Sequence, residues 1–209
     1  MTQVIAGSRE RVSRVQRRRF AHRRDQLASS ALQTLAELGY ARTSLRDIAD
    51  HSEFSHGVLH YYFTDKIDLI TAAVRMFKQD CVHRYDDIVD NATSADELRV
   101  EFAAAMARTL RTEAPEHRLW YDIRNQSLFE GAFRDDVLEL DAGIEAMIWR
   151  VVSRHAELDG VSVHVERPVA YAMFDGLFHQ SLLRFVSGDE GAVGDLEDRA
   201  CALLETTTA

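Results

Sequence analysis

The chain has 209 residues, 46% hydrophobic and 28% charged, with 10 Gly, 2 Pro and 2 Cys. That length can bury one sizeable core or two modest ones, and the low Gly and Pro content, about half of average usage, excludes collagen-like, linker-like and turn-rich all-β chains. The formal charge of −9 argues, as an average, against a nucleic-acid partner.

The charge is unevenly spread. Residues 1–66 hold 11 Lys/Arg and 7 Asp/Glu, a net of +4, whereas residues 67–209 hold 14 and 27, a net of −13. The first 24 residues alone carry 8 Arg and a single acid, Glu10. Cys81 and Cys201 are too few for a disulfide framework, which points to a reducing, cytoplasmic compartment. The opening MTQVIAGSRE lacks the apolar core, roughly 7–15 residues long, of a secretory signal. The longest apolar run, Pro168 to Leu183, carries Asp175 near its middle and falls short of the roughly 18 uncharged residues of a membrane span.

Phe20, Leu27, Ala31, Leu35 and Leu38 recur at helical steps and predict a first helix over 16–38, with Gly39 where a left-handed stop is expected. Ser44 and Asp47 form a capping-box pattern for a short helix that buries Leu45, Ile48 and Ala49. Ser52-Glu53-Phe54-Ser55 breaks it, and Ser55 caps another short helix from His56 to Tyr62. Thr64-Asp65 starts a long amphipathic run through Ile67, Leu69, Ile70, Ala73, Val74, Phe77, Cys81, Tyr85 and Ile88, reaching Val89. Ser94 caps a helix to Arg111, and Pro115 opens one to about Phe129. Further helices run over 134–158, 168–186 and from Gly194 to about Leu204, leaving a frayed Thr206-Thr207-Thr208 tail. Only Val161 to Val165 alternates like a strand, too short to build a sheet. The expected fold is all-α with nine helices, three in a basic head and six in an acidic body.

Two short helices joined by a tight turn and preceded by a longer one make a helix-turn-helix, whose second helix fits a major groove about 12 Å wide. The run Thr43-Ser44-Leu45-Arg46-Asp47-Ile48-Ala49, then Phe54-Ser55-His56-Gly57-Val58-Leu59-His60-Tyr61-Tyr62-Phe63, then Asp65-Lys66-Ile67-Asp68-Leu69, resembles the DNA-binding domain of TetR-family transcriptional regulators over about residues 20–70. It departs from that pattern at Glu53, which stands where the family usually has Gly, at His56 and Val58, which replace the usual Lys and Thr, and in the order His60-Tyr61-Tyr62.

The resemblance implies that Ser44, Tyr61, Tyr62 and Lys66 bond phosphates. It also implies that Arg46, His56, Gly57 and Val58 face base edges, with Gly57 permitting close approach. Leu45, Ile48, Ala49, Leu59 and Phe63 are read as head core, and His60 goes either way. Arg14, Arg17, Arg18 and Arg19 either reach phosphates or the minor groove, with Arg17 and Arg18 taken as phosphate contacts, or lie in a solvated tail.

His56 with His60, and His83 with Asp87, have metal-binding spacing but no third ligand, so no metal is expected. Asp135-Asp136 reads as an acidic first turn of a helix. No Gly-rich phosphate loop, GxSxG, CxxC or HExxH occurs, and no enzyme activity or cofactor is expected.

In the body, Tyr171-Ala172-Met173-Phe174-Asp175-Gly176-Leu177-Phe178 resembles the penultimate helix with which TetR-like proteins dimerise. Phe174, Leu177, Phe178, Ser181, Leu182 and Phe185, with Leu196, Ala200 and Leu203 of the last helix, are the expected dimer face, and Gly176 would admit a close helix. The segment 119–129 mixes aromatic and polar residues and resembles the effector domain of betaine-regulating repressors of the family. An effector pocket is drawn from Phe102, Met106, Trp120, Tyr121, Arg124, Asn125, Phe129, Met147, Tyr171 and His179. The same aromatics also read as plain core, and Arg124 as an ion-pair partner of Asp122, Glu130 or a distant carboxylate.

The expected organisation is a basic arm over 1–15, a helix-turn-helix domain over 16–64 and an effector-binding and dimerisation domain over 65–209. The function the resemblance implies is a homodimeric transcriptional regulator with no membrane association. It would be a repressor released from a palindromic double-stranded operator when a small molecule in the body shifts the 64–89 helix. Two heads would then lie roughly 34–36 Å apart. The alternatives are a constitutive dimeric DNA-binding protein and a helical enzyme or ligand carrier.

Overall fold

The computed structural model describes the backbone of residues 2–39 and 43–208, and the side chains of 16–39, 43–73, 75–77 and 81–208. Among these residues there are ten α-helices and no strand. The chain divides into two compact units, Met1–Met76 and Phe77–Ala209, and the division falls inside a helix rather than at 64/65.

In the first unit, α1 (Thr2–Leu38) begins well before Gln16, so the residues read as an arm are helical. The Arg14 side chain lies outside the described ones. Leu27, Ala31 and Leu35 are buried as the periodicity predicts, and Gly39 follows at φ 81°, a left-handed stop with no side-chain penalty. Phe20 departs from that stripe and stays 41% exposed, because its ring lies against tyrosines of α3 rather than in the core.

Helix α2 (Leu45–Asp50) opens on a complete capping box. The Asp47 amide donates to Ser44 Oγ at 3.2 Å, and the Ser44 amide donates to Asp47 Oδ2 at 2.8 Å. Helix α3 (His56–Tyr62) is capped by Ser55, whose Oγ accepts from the Val58 amide. Leu45, Ile48, Ala49, Leu59 and Phe63 form the head core with α1 and the start of α4 (Lys66–Cys81). Asp65 Oδ1 caps α4 by accepting from the Asp68 amide at 2.8 Å.

The second unit contains one helix more than the periodicity counts. The run expected to reach Val89 breaks at 82–85 into α4 and α5 (Asp86–Asn91). Arg150 holds the break by donating to the Val82 carbonyl at 2.5 Å and to Asp86 at 2.6 Å. Gly143 lets the turn lie close, since a Cβ there would meet Val82 Cγ1 at 2.6 Å.

Helix α6 (Ala95–Thr112) is the central element, packed against α7 (Ala114–Gln126), α8 (Arg134–Asp159), α9 (Arg167–Val186) and α10 (Ala192–Thr207). Val161 to Val165 is coil, not strand. The C-terminal threonines are not frayed. Thr207 and Thr208 are buried, Thr208 shares a 2.8 Å hydrogen bond with His155 Nδ1, and the His164 amide donates to the Thr207 carbonyl at 3.0 Å. No helix among the described residues is long and apolar enough to cross a membrane.

Candidate nucleic-acid interface and ligand cavity

Helix α3 buries one residue of seven, Leu59, and exposes four, His56, Gly57, His60 and Tyr61. His56, Gly57 and His60 are exposed, Val58 is half-buried, and nothing stands within 4 Å of where a Gly57 side chain would be. His56 and His60 sit edge to face, Nε2 to Nε2 at 3.1 Å, with one ring donating to the other. Arg46 is exposed on the preceding helix.

Tyr61 is 72% exposed, and Tyr62 is half-buried under Phe20, with ring centroids 4.7 Å apart. Lys66 is half-buried at the start of α4, while Arg17, Arg18 and Arg19 are exposed along α1. Arg24 is fixed inward. It pairs with Asp68, donates to the Tyr62 carbonyl and stacks over Phe63, so it ties α1 to the ends of α3 and α4.

Two sequence features acquire local explanations. Ser44 donates its hydroxyl proton to Asp47 Oδ2 at 2.5 Å, so a phosphate would have to displace that bond. The Ser44 hydroxyl and amide hold the Asp47 carboxyl below its ordinary range. Glu53 needs no glycine-like backbone, because no non-glycine residue among those described has a positive φ. The 51–55 turn avoids the left-handed region.

The body contains a partly open cavity of about 60 Å³ walled almost wholly by apolar surface. Met106, Trp120, Tyr121, Met147 and Tyr171 line it, as the sequence reading expects. The other five expected residues do not. Phe102 lies behind the wall, its ring against Tyr85 and Phe174. Arg124 stands one step back through Asp175, and His179 is exposed, stacked on Tyr121 at 4.1 Å. Asn125 is exposed on the last turn of α7. Phe129 is 87% exposed because α7 stops at Gln126 and the chain turns outward.

The reading missed Arg84, Tyr85, Thr109, His117 and Asp175, all on the wall. Asp175 had a signal: an acid in the middle of an apolar helix needs a partner. It has two, Tyr121 Oη donating at 2.9 Å and Arg124 Nη1 at 2.7 Å. Arg124 Nε also approaches Asp141 at 3.3 Å, and Tyr171 donates its hydroxyl to Asp141. Burial, then the negative charge of Asp175, pushes the Tyr121 and Tyr171 hydroxyls well above their ordinary pKa, so both remain donors.

Arg84 pairs with Glu113 at 2.6 Å and donates to Thr109 Oγ1 at 3.0 Å. Burial raises Tyr85 to about 12. His117 sits between Phe77 and Phe178 with its Nε2 buried and without a hydrogen-bond partner. Burial first, and the Arg84 charge second, lower its pKa to about 3.

The expected dimer face is corrected. Phe174, Phe178, Ser181, Leu182, Leu196 and Ala200 are closed off inside the protomer, leaving Leu177, Phe185 and Leu203 partly exposed. Helix α9 is apolar nearly all round, so periodicity alone picks no face. The surface side of α9 is Val169, Ala172, Gly176 and Leu183, the last 64% exposed, with open space at Gly176.

Comparison with known proteins gives a consistent answer. A family model for bacterial regulatory proteins of the tetR family matches residues 27–73, the helix-turn-helix with its flanking helices. The HTH-type transcriptional repressor KstR2 of Mycolicibacterium smegmatis is 27% identical over 144 residues, 56% of this chain and 70% of that one. The HTH-type transcriptional regulator BetI of Burkholderia thailandensis is 30% identical over 115 residues, 54% of this chain and 58% of that one. A protein from Saccharomonospora viridis, solved in complex with choline, superposes with a TM-score of 0.74 at 18% identity over 90% of this chain and 97% of its own. Over residues 27–73 the chain is similar to the tetR family of bacterial regulatory proteins, and its fold is shared with the Saccharomonospora viridis protein.

Proposed function

We propose that this chain is a homodimeric repressor. Its α3 helix reads a palindromic operator, and its body cavity receives a small molecule that releases the DNA. The observation that carries this reading is the pairing of an outward-facing α3 with an aromatic-walled cavity in the other unit. His56, Gly57, Val58 and Arg46 meet base edges. Tyr61, Tyr62, Lys66, Arg17 and Arg18 meet phosphates, and Ser44 joins them once its bond to Asp47 opens. The outer stripe of α9 around Gly176 is the dimer face.

A cavity with this aromatic and apolar lining favours a ligand-responsive regulator over a constitutive one, and choline in the Saccharomonospora viridis protein supports a small-molecule site in this fold. A ligand releases DNA only if it binds the released state more tightly than the DNA-bound one.

The test is a footprint with sedimentation on DNA from upstream of the chain's own gene. Two protomers protecting one inverted repeat is the expected result. No protection, or protection by a single protomer, contradicts it.

A further inference from the structure

This inference rests on reading the body cavity as the effector site, and it names the chemistry of the molecule that enters. Each charged group on the wall already faces its opposite. Arg84 is taken by Glu113, and each oxygen of Asp175 has a donor, one from Tyr121 and one from Arg124. Behind them Asp141 is occupied by Arg124 and Tyr171. Thr109 Oγ1 accepts from Arg84, and apart from Cys81 and His117 the remaining wall is aliphatic, aromatic or methionine.

One polar atom stands out. Among the described residues, three buried side-chain polar atoms have no partner, Glu116 Oε2, His117 Nε2 and Ser181 Oγ, and of these residues only His117 lines the cavity. With a pKa near 3 its imidazole is neutral. It can share one hydrogen bond and offers no charge. An ionic ligand would have to pull a counter-ion out of an existing pair and lose its own water in an apolar chamber. A hydroxyl, donor and acceptor at once, meets either tautomer of the ring. The room is small, roughly four to six times what one water needs.

We infer that the cavity takes a compact, uncharged, apolar alcohol whose hydroxyl bonds His117 Nε2, its hydrocarbon part packing against Trp120, Met106 and Phe174. Binding gives the orphaned nitrogen its partner and leaves the two ion-pair systems of the wall undisturbed.

Three probes of one shape isolate the charge: 3,3-dimethylbutan-1-ol (neutral), choline (cation) and 3,3-dimethylbutanoate (anion). Calorimetry on the full chain without DNA measures binding, and fluorescence anisotropy of the upstream DNA measures release. The alcohol should bind at least about tenfold tighter than either ion. His117→Phe should weaken it by at least about tenfold, whereas His117→Asn, which keeps a hydrogen-bonding group, should retain part of the affinity. Circular dichroism melts confirm that both variants fold.

Choline or the carboxylate binding tightest overturns the inference, as does binding of none of the three, or an alcohol affinity that ignores His117. The outcomes also separate the two readings. If the alcohol binds but DNA stays bound, the ligand class stands and the effector role falls. If an ion binds and DNA is released, the effector role stands and the ligand class falls.

Discussion

Helices α3 and α9 solve opposite problems. Helix α3 buries only Leu59 and turns two imidazoles, a glycine and a tyrosine toward solvent, on a core it shares with α1 and α2. Helix α9 buries six residues, and its one acid, Asp175, is drawn toward α7 by Tyr121 and Arg124. In the head the functional groups point away from the frame that holds them, which suits a partner arriving as a charged surface. In the body the polar groups are spent on each other, which leaves an apolar chamber whose selectivity rests on shape and very few polar atoms.

The largest expected effect breaks the head alone. Leu59→Ala removes the only buried residue of α3 and should cost about 2–5 kcal/mol of head stability, abolishing DNA binding on every sequence. Calorimetric binding of a cavity ligand should persist, and its loss would mean that the two units do not behave separately.

Next is Arg124→Ala, which leaves Asp175 and Asp141 without their shared cation. These side chains are still 20% and 27% exposed, so the cost should be about 1–3 kcal/mol in urea unfolding, below the range for a fully buried pair. DNA affinity without ligand should be unchanged.

His56→Ala should cost about 1–2 kcal/mol at the base it meets and alter which base is preferred there, whereas Lys66→Ala should weaken all sequences alike and lower the salt slope by about one. Selection of operators from a random pool separates the two.

The smallest effect is a pH dependence in the body. The pKa of His117 is about 3 in the folded chain against an ordinary 6.5. Below about pH 6.5 the unfolded chain therefore takes up a proton that the folded chain refuses, and stability falls as pH drops. His117→Phe should remove about 1 kcal/mol of that fall between roughly pH 7 and pH 5.5, with the two curves parallel above it. Parallel curves throughout would mean that the imidazole is hydrated.

How much the sequence revealed follows the same division. The capping box spans Ser44 to Asp47 and the stop at Gly39 is a single residue, so the head is written in local spacing. The cavity is written across distance: Asp175 lies 54 residues from Tyr121 and 51 from Arg124, and no local period carries that information. The break between α4 and α5 was illegible for a related reason. Cys81 and Tyr85 keep helical spacing and Val82-His83-Arg84 contains no Gly or Pro, while the residues that hold the turn open are Arg150 and Gly143, far along the chain. The dimer stripe failed because α9 is apolar on several faces, and only the packing of its neighbours decides which face is covered.

The central claim is that the exposed side of α3 meets phosphates and bases. The most direct measurement is the affinity for the upstream DNA, by anisotropy, from about 50 to about 200 mM salt. With roughly 6–10 phosphate contacts the affinity should fall by about 10³–10⁵ across that range. An affinity that stays flat with salt would contradict the account.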